Sequence, residues 1–149
     1  MPQRDGKNGI QPVHLGNVAL SGTTAASSAW MDTLEADMAT LIIVNNTVTD
    51  AGAAAGYSFV LEESDTTAAA DATTVSAAQT VGVAADLSVT ADGSDDAIAG
   101  WIGYVGSKRY VRVTATGTTG TSADVSVIGI AAALSTEPRS TAGTAVAAT

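Results

Sequence analysis

The chain of 149 residues has no cysteine, which excludes disulfides and thiolate metal sites and leaves no reading of redox compartment. It has one histidine, His14, so zinc coordination by imidazole and thiolate has no ligand set. Cations are scarce: six Lys and Arg stand against fifteen Asp and Glu, a net charge of −9. Phosphate affinity rests on Lys and Arg neutralising charge, so this balance argues against a general nucleic-acid binder. Long apolar runs are absent too. The longest are short, such as "LIIV" at 41–44, and nothing is long enough to span a membrane. The opening "MPQRDGKNGIQPVH" lacks the continuous apolar core of a signal peptide. Aromatics make up 4% of the chain, with Phe59 the only phenylalanine. Leu, Ile, Val and Phe together reach only about a fifth of the residues, close to the level at which chains stay disordered. Charge density is low, however, so self-repulsion does not enforce disorder. The expectation is one folded domain with a thin core, strengthened by a partner or by self-association.

What is present is β-strand signal between turn signals. "PVHLGNVAL" (12–20) alternates, "MATLIIVNNTVTD" (38–50) has a β-branched centre, and "YSFVLEESD" (57–65) puts Tyr57, Phe59 and Leu61 on one face and Ser58, Val60 and Glu62 on the other. "AGAAAG" (51–56) is too short for a helix and is bounded by glycine. Residues 66–96 are the least legible and hold one or two short strands around Val81 to Val89; a helix near 67–72 is not favoured. "AIAGWIGYVGS" (97–107) and "KRYVRVTATG" (108–117) read as two strands of a hairpin, with Gly106 able to take positive φ at the turn. "ADVSVIGIAAAL" (123–134) is the last strand. Six to eight strands without a convincing long helix predict an all-β fold, an antiparallel β-sandwich or barrel. The organisation expected is an extended N-terminal arm over 1–11, a β-sandwich domain over 12–134 and a polar, small-residue tail over 135–149.

No constellation of residues carries catalysis. "TADGSDD" (90–96) lacks the ligand spacing and the distant glutamate of a calcium loop and reads as a capped turn. Glu62 and Glu63 point to opposite faces of a strand, so they do not share an acid–base site. No "GxSxG" elbow supports a Ser–His–Asp arrangement around His14, and no glycine-rich phosphate loop is present. "NNT" at 45–47 is a glycosylation sequon in form only. The chain is therefore read as a non-enzyme with no catalytic, metal or cofactor-binding residues and no cofactor.

The basic stretch "GYVGSKRYVRVTATG" (103–117) is the most informative. Alternation places Arg109, Val111, Val113 and Ala115 on the core face and Lys108, Tyr110, Arg112, Thr114 and Thr116 on the other. In the next strand Val125 and Val127 match the core face, and Asp124 is a candidate to oppose an arginine across the strands. Two readings stand: a solvated sheet face with ordinary charge pairing, or a protein-contact face, since Tyr and Arg carry interface energy. On the second reading Tyr110 and Arg112, with Arg4 and Lys7 of the arm, are the partner-contact candidates. Trp101, among small neighbours, is expected in the core. Trp30 is expected to cap one end of the sandwich.

The run "IGYVGSKRYVRVTATGTTGTSADVSVIGI" (102–130) resembles a group of small virion proteins of tailed bacteriophages, through Tyr104, Gly106, Lys108, Arg109, Tyr110, Val111 and Arg112 followed by a Thr/Gly turn and a Val/Ile strand. A looser likeness reaches back through "LIIVNNTVTDAGAAAGYSFVLEESD". The resemblance implies a capsid decoration, or cement, protein with a jelly-roll-like sandwich. Such a protein sits on the outer surface of the virion's capsid, binds the major capsid protein, bridges capsomers, and is a homo-oligomer, dimer or trimer. It implies neither nucleic acid nor membrane as a partner. The alternative is a tail, spike or neck β-module that binds a receptor, a glycan or another virion protein; the low aromatic content argues against a sugar site.

Overall fold

The computed structural model describes residues 10–34, 36–82 and 87–134. The expected tail and most of the expected arm, with Arg4 and Lys7, lie outside the described residues. Among the described residues eleven strands run in order: β1 (Ile10–Ser21), β2 (Ala26–Ser27), β3 (Met31–Asp32), β4 (Ala36–Asp50), β5 (Tyr57–Ser64), β6 (Thr73–Thr74), β7 (Thr80–Val81), β8 (Ser88–Val89), β9 (Ala97–Tyr104), β10 (Tyr110–Thr116) and β11 (Ser122–Leu134). Near 67–72 there is only a single 3-10 turn at Ala69–Asp71.

The strands form two antiparallel sheets. The first has the order β1-β11-β4-β9-β7; the second has β2-β10-β5-β6, with β3 also pairing β10 and β8 pairing β5. Nearly every connection passes from one sheet to the other. The four-strand orders β1-β11-β4-β9 and β2-β10-β5-β6 facing each other are those of a jelly roll, which limits the exposed strand edges that a flat sheet would leave.

Period-two patterning explains the sandwich. Leu41, Ile43, Val125, Val127 and Ile102 from the first sheet meet Phe59, Leu61, Val111, Val113 and Ala115 from the second, all of them buried. Tyr57 and Phe59 pack edge to face with ring centroids 5.6 Å apart. Small residues allow long side chains to cross the gap: Met31 and Leu15 fill the space above Gly129, and Leu87 fills that above Gly100.

Seven expectations need correction. Arg109, expected on the core face, precedes β10 and is exposed, paired with Asp32. β9 and β10 do not form a hairpin. Residues 105–109 carry the chain from the first sheet to the second, and β9 pairs with β4 and β7 while β10 pairs with β5, β2 and β3. Gly106 does not take a positive φ; it is needed because an added Cβ would lie 2.4 Å from the Tyr104 ring, over which the chain folds. Asp124 opposes no arginine. β11 lies between β1 and β4, and Asp124 faces Ala19 and Thr47 instead. Trp101 is not core: on β9, Ile102 and Tyr104 turn inward and Trp101 is exposed. Trp30 is buried, but outside the hydrophobic core. It lies on the outer side of the second sheet, because its chain neighbour Met31 takes the inward position. The first strand also starts at Ile10, where Ile10 and Gln11, expected in the arm, pair with Ala132 and Ala131.

Candidate functional site

The basic stretch folds as a crossing built around one tyrosine. Tyr104 ends β9 pointing inward, and its hydroxyl donates to Glu63 Oε2 at 2.6 Å and accepts the Lys108 amide at 2.9 Å. Glu63 is buried on the inward face of β5, where an unpartnered carboxylate would be costly. Burial, and then the bond to Glu63, push the Tyr104 hydroxyl well above the ordinary tyrosine range. The side chain of one strand thus holds together the acid of the other sheet and the backbone of the turn.

Arg112, one of the expected partner contacts, is committed within the chain. Its Nε donates to Glu62 Oε2 at 2.8 Å, and its guanidinium lies 4.4 Å from the centroid of the Trp30 ring. The side chains of Arg112 and Glu62 are only 13% and 19% exposed. Thr114 donates a second hydrogen bond to the same carboxylate oxygen at 2.7 Å, and Ser27 bonds Thr114 at 2.8 Å. Trp30 Nε1 donates to the Thr67 carbonyl at 2.9 Å, which ties the indole to the chain beyond β5. The cross-strand register dictates this cluster: Arg112 stands opposite Glu62, and Thr114 opposite Ser27.

The other two cations of the stretch are also paired. Arg109 grips Asp32 through Nε at 3.1 and 3.2 Å and Nη2 at 2.7 Å, and stacks 4.9 Å from the Tyr110 centroid. Lys108 bonds Asp65. Hydrogen bonding to these acids raises both cations above their ordinary values. These pairs are exposed and contribute little to stability. Tyr110 is half-buried beneath Arg109. A shallow hollow of about 310 Å³ lies between Thr33, Leu34, Lys108 and Arg109. Its two cations already face carboxylates, so it offers no free charge to an anion.

The remaining polar groups serve the backbone. Asp95 Oδ1 accepts the Val48 amide at 2.5 Å and Asp92 Oδ1 the Ala51 amide at 2.8 Å, so the acidic turn caps the end of β4. Asn45 of the sequon is buried, accepts the Tyr57 hydroxyl at 2.9 Å and donates to the Ser94 carbonyl. His14 is exposed on β1 opposite Ile128. Among the described residues no group of three or more His, Asp or Glu is placed to hold a metal ion, and no helix is long and apolar enough to cross a membrane.

What sequence reasoning missed is the outer face of the first sheet. Its outward positions pair across strands as Val44 with Ile98, Ile42 with Trp101 and Ile128, and Thr40 with Gly103 and Ile130. Met38, Val81, Ile98 and Trp101 on this face are 58–66% exposed. A bulge at Ala99, between Gly100 opposite Ile43 and Ile98 opposite Val44, turns Ile98 out of the core and places it beside Trp101. The far end of the face is polar: Asn46 donates to Asp124 and Ser126, and Ser126 donates to Asn17. Apolar residues at both inward and outward positions of "TLIIV" and "VIGI" carried the signal, since an antiparallel strand with one face in water alternates apolar with polar.

No protein-family model matches the chain, and no curated protein matches it.

Proposed function

We propose that the chain is a structural virion protein that binds the outer surface of a phage capsid and stabilises it by bridging capsomers. The observation that carries this reading is that a jelly roll otherwise strongly acidic keeps one exposed, uncharged Ile/Val/Trp/Met face, as a subunit that works inside an assembly does. Between residues 10 and 134 the chain has three cations against thirteen carboxylates, a net charge of −10. All three cations are paired with acids of the same domain. A domain of that charge is repelled by nucleic acid, and its contiguous apolar face is the mark of a protein contact. The resemblance of residues 102–130 to decoration proteins supports the same reading. Many weak contacts repeated over a lattice then give a strength that no single contact has.

A glycan-binding module is the weaker reading. Trp101 is an exposed ring, but its neighbours Ile42, Ile98 and Gly103 supply no side-chain hydrogen-bond donor to orient a sugar. The test is co-sedimentation of the purified protein with undecorated phage shells, followed by imaging of the decorated particle. Saturable binding over the whole shell lattice is expected. Binding confined to one vertex or to the tail would overturn the assignment in favour of a neck or tail protein. Removal of residues 1–9, which leaves β1 intact, is expected to weaken shell binding without unfolding the domain.

A further inference from the structure

We infer that the apolar outer face of the first sheet is the interface with a second copy of this chain. This deepens the proposed function by naming which surface is used for self-association, and it rests on that reading only for the role of the dimer on the shell.

Three observations select a second copy as the occupant. The first is charge. A partner of different sequence would be drawn to this acidic domain by complementary cations meeting its carboxylates. The outward positions of β4, β9, β7 and the apolar half of β11 contain no charged side chain; the carboxylate of this face, Asp124, sits at its polar end beneath Asn46. Two bodies of net charge −10 can meet only where charge has been cleared.

The second is area. Trp101, Ile98, Val81, Met38 and Ile10 are 46–66% exposed, and Ile42, Val44, Ile128 and Ile130 fill the ground between them. Together they make a patch on the order of 600 Å², at the top of the range for ordinary monomers and close to the roughly 800 Å² per partner of a stable complex.

The third is shape. The face is a pleated, twisted sheet surface of β-branched residues. An identical sheet has the same twist, so two copies stack by the physics that already packs the inner faces of the sandwich.

The experiment is sedimentation equilibrium of the full chain at micromolar concentration, with Trp101→Lys, the double variant Ile98→Lys/Trp101→Lys, and Val60→Lys as a control on the outer face of the second sheet. The wild type is expected to be a dimer. Trp101→Lys should raise the dissociation constant roughly 30-fold or more, the loss expected of a central aromatic anchor. The double variant should be a monomer with an unchanged circular dichroism spectrum, because both side chains stand outside the core. Val60→Lys should leave the dimer intact. A monomeric wild type overturns the inference, as does a dimer that survives both lysines. Shell co-sedimentation of the same proteins separates this from the functional reading. A wild type that is monomeric yet loses shell binding on Trp101→Lys assigns the face to the capsid and refutes the dimer. A wild-type dimer that binds no shell supports the interface and refutes the decoration role.

Discussion

Replacing Arg112 by alanine tests whether the basic strand is a binding surface or a part of the fold. The substitution removes the hydrogen bond from Nε to Glu62 Oε2 at 2.8 Å and the cation above the Trp30 ring at 4.4 Å. It leaves Glu62 with the Thr114 hydroxyl as its donor in a site where the carboxylate side chain is 19% exposed. A hydrogen bond to a charged group contributes about 1.5–3 kcal/mol, and a largely desolvated cation–π contact about 1 kcal/mol. Residual water access to Glu62 keeps the cost below that of an ion pair with no solvent, about 3–5 kcal/mol. The expected loss is about 2–4 kcal/mol, or roughly 10 °C in Tm for a domain of this size. Urea denaturation followed by tryptophan fluorescence is the assay, since Trp30 itself loses its cationic cover. Arg112→Lys should lose about half as much, because an ammonium cannot lie flat on the indole and bond the carboxylate together. Arg112→Met combined with Glu62→Met should recover most of the stability, with a coupling of about 1–3 kcal/mol between the sites. A loss under about 0.5 kcal/mol for Arg112→Ala, the value of an ordinary surface pair, would refute the reasoning. If the double methionine variant folds but no longer binds shells, Arg112 has a partner role beyond the fold.

Gly56→Ala should be the most damaging small substitution: Gly56 has φ +65° and an added Cβ would lie 1.9 Å from the Val89 carbonyl oxygen. Backbone cannot yield as a side chain can, and a loss above about 3 kcal/mol, or insoluble protein, is expected on thermal melting. Gly106→Ala should cost about 1–3 kcal/mol through overpacking against the anchored Tyr104 ring, measured by urea midpoint. Stability should fall above pH 10. Burial, and then the charge of Asp95, push Tyr57 from 10 up to about 12, and Tyr104 is raised further. Both bind their protons more tightly when folded, so the stabilisation is complete below pH 10 and is lost as pH rises toward 12 and beyond. Tyr57 alone accounts for about 2–3 kcal/mol of this loss, and Tyr57→Phe should flatten the slope of urea midpoint against pH. Asn45, buried and bonded to Tyr57, should receive no glycan after folding; an occupied site on the native protein, seen by mass spectrometry, would contradict the register of β4.

The class of fold was legible because the strands obey period two over long stretches. Tyr57, Phe59 and Leu61 turn inward as their alternation dictates, and so do Val111, Val113, Val125 and Val127. Pairing was not legible. Residues 97–107 and 108–117 look like a hairpin because a glycine lies between two β-rich segments, and local sequence cannot distinguish a turn within one sheet from a crossing between two. The difference lies in Tyr104, whose hydroxyl reaches Glu63 across 41 residues and so ties the crossing to the opposite sheet. The short strands β2, β3, β6, β7 and β8 have two residues each, below the length at which alternation carries information.

Neither tryptophan takes its expected place, for reasons that sequence hides. Trp101 lies in "AIAGWIGYV", where both faces are apolar, so alternation gives no preference between placing Ile102 and Tyr104 inward or Trp101 and Val105 inward. The tie is broken by partners remote in sequence. Tyr104 has Glu63 and the Lys108 amide to satisfy its hydroxyl in the interior, whereas the inward ground opposite Gly100 is already taken by Leu87. Trp30 lies in a polar segment that reads as a loop. The residue opposing it is Arg112, whose charge is neutralised by Glu62, so the indole is buried by an ion pair and not by a hydrophobic core. Composition counted Arg112 among the few cations open to a partner, but its register opposite Glu62 commits it to the fold. That leaves the uncharged outer face of the first sheet, not the basic strand, as the surface with contacts still to make.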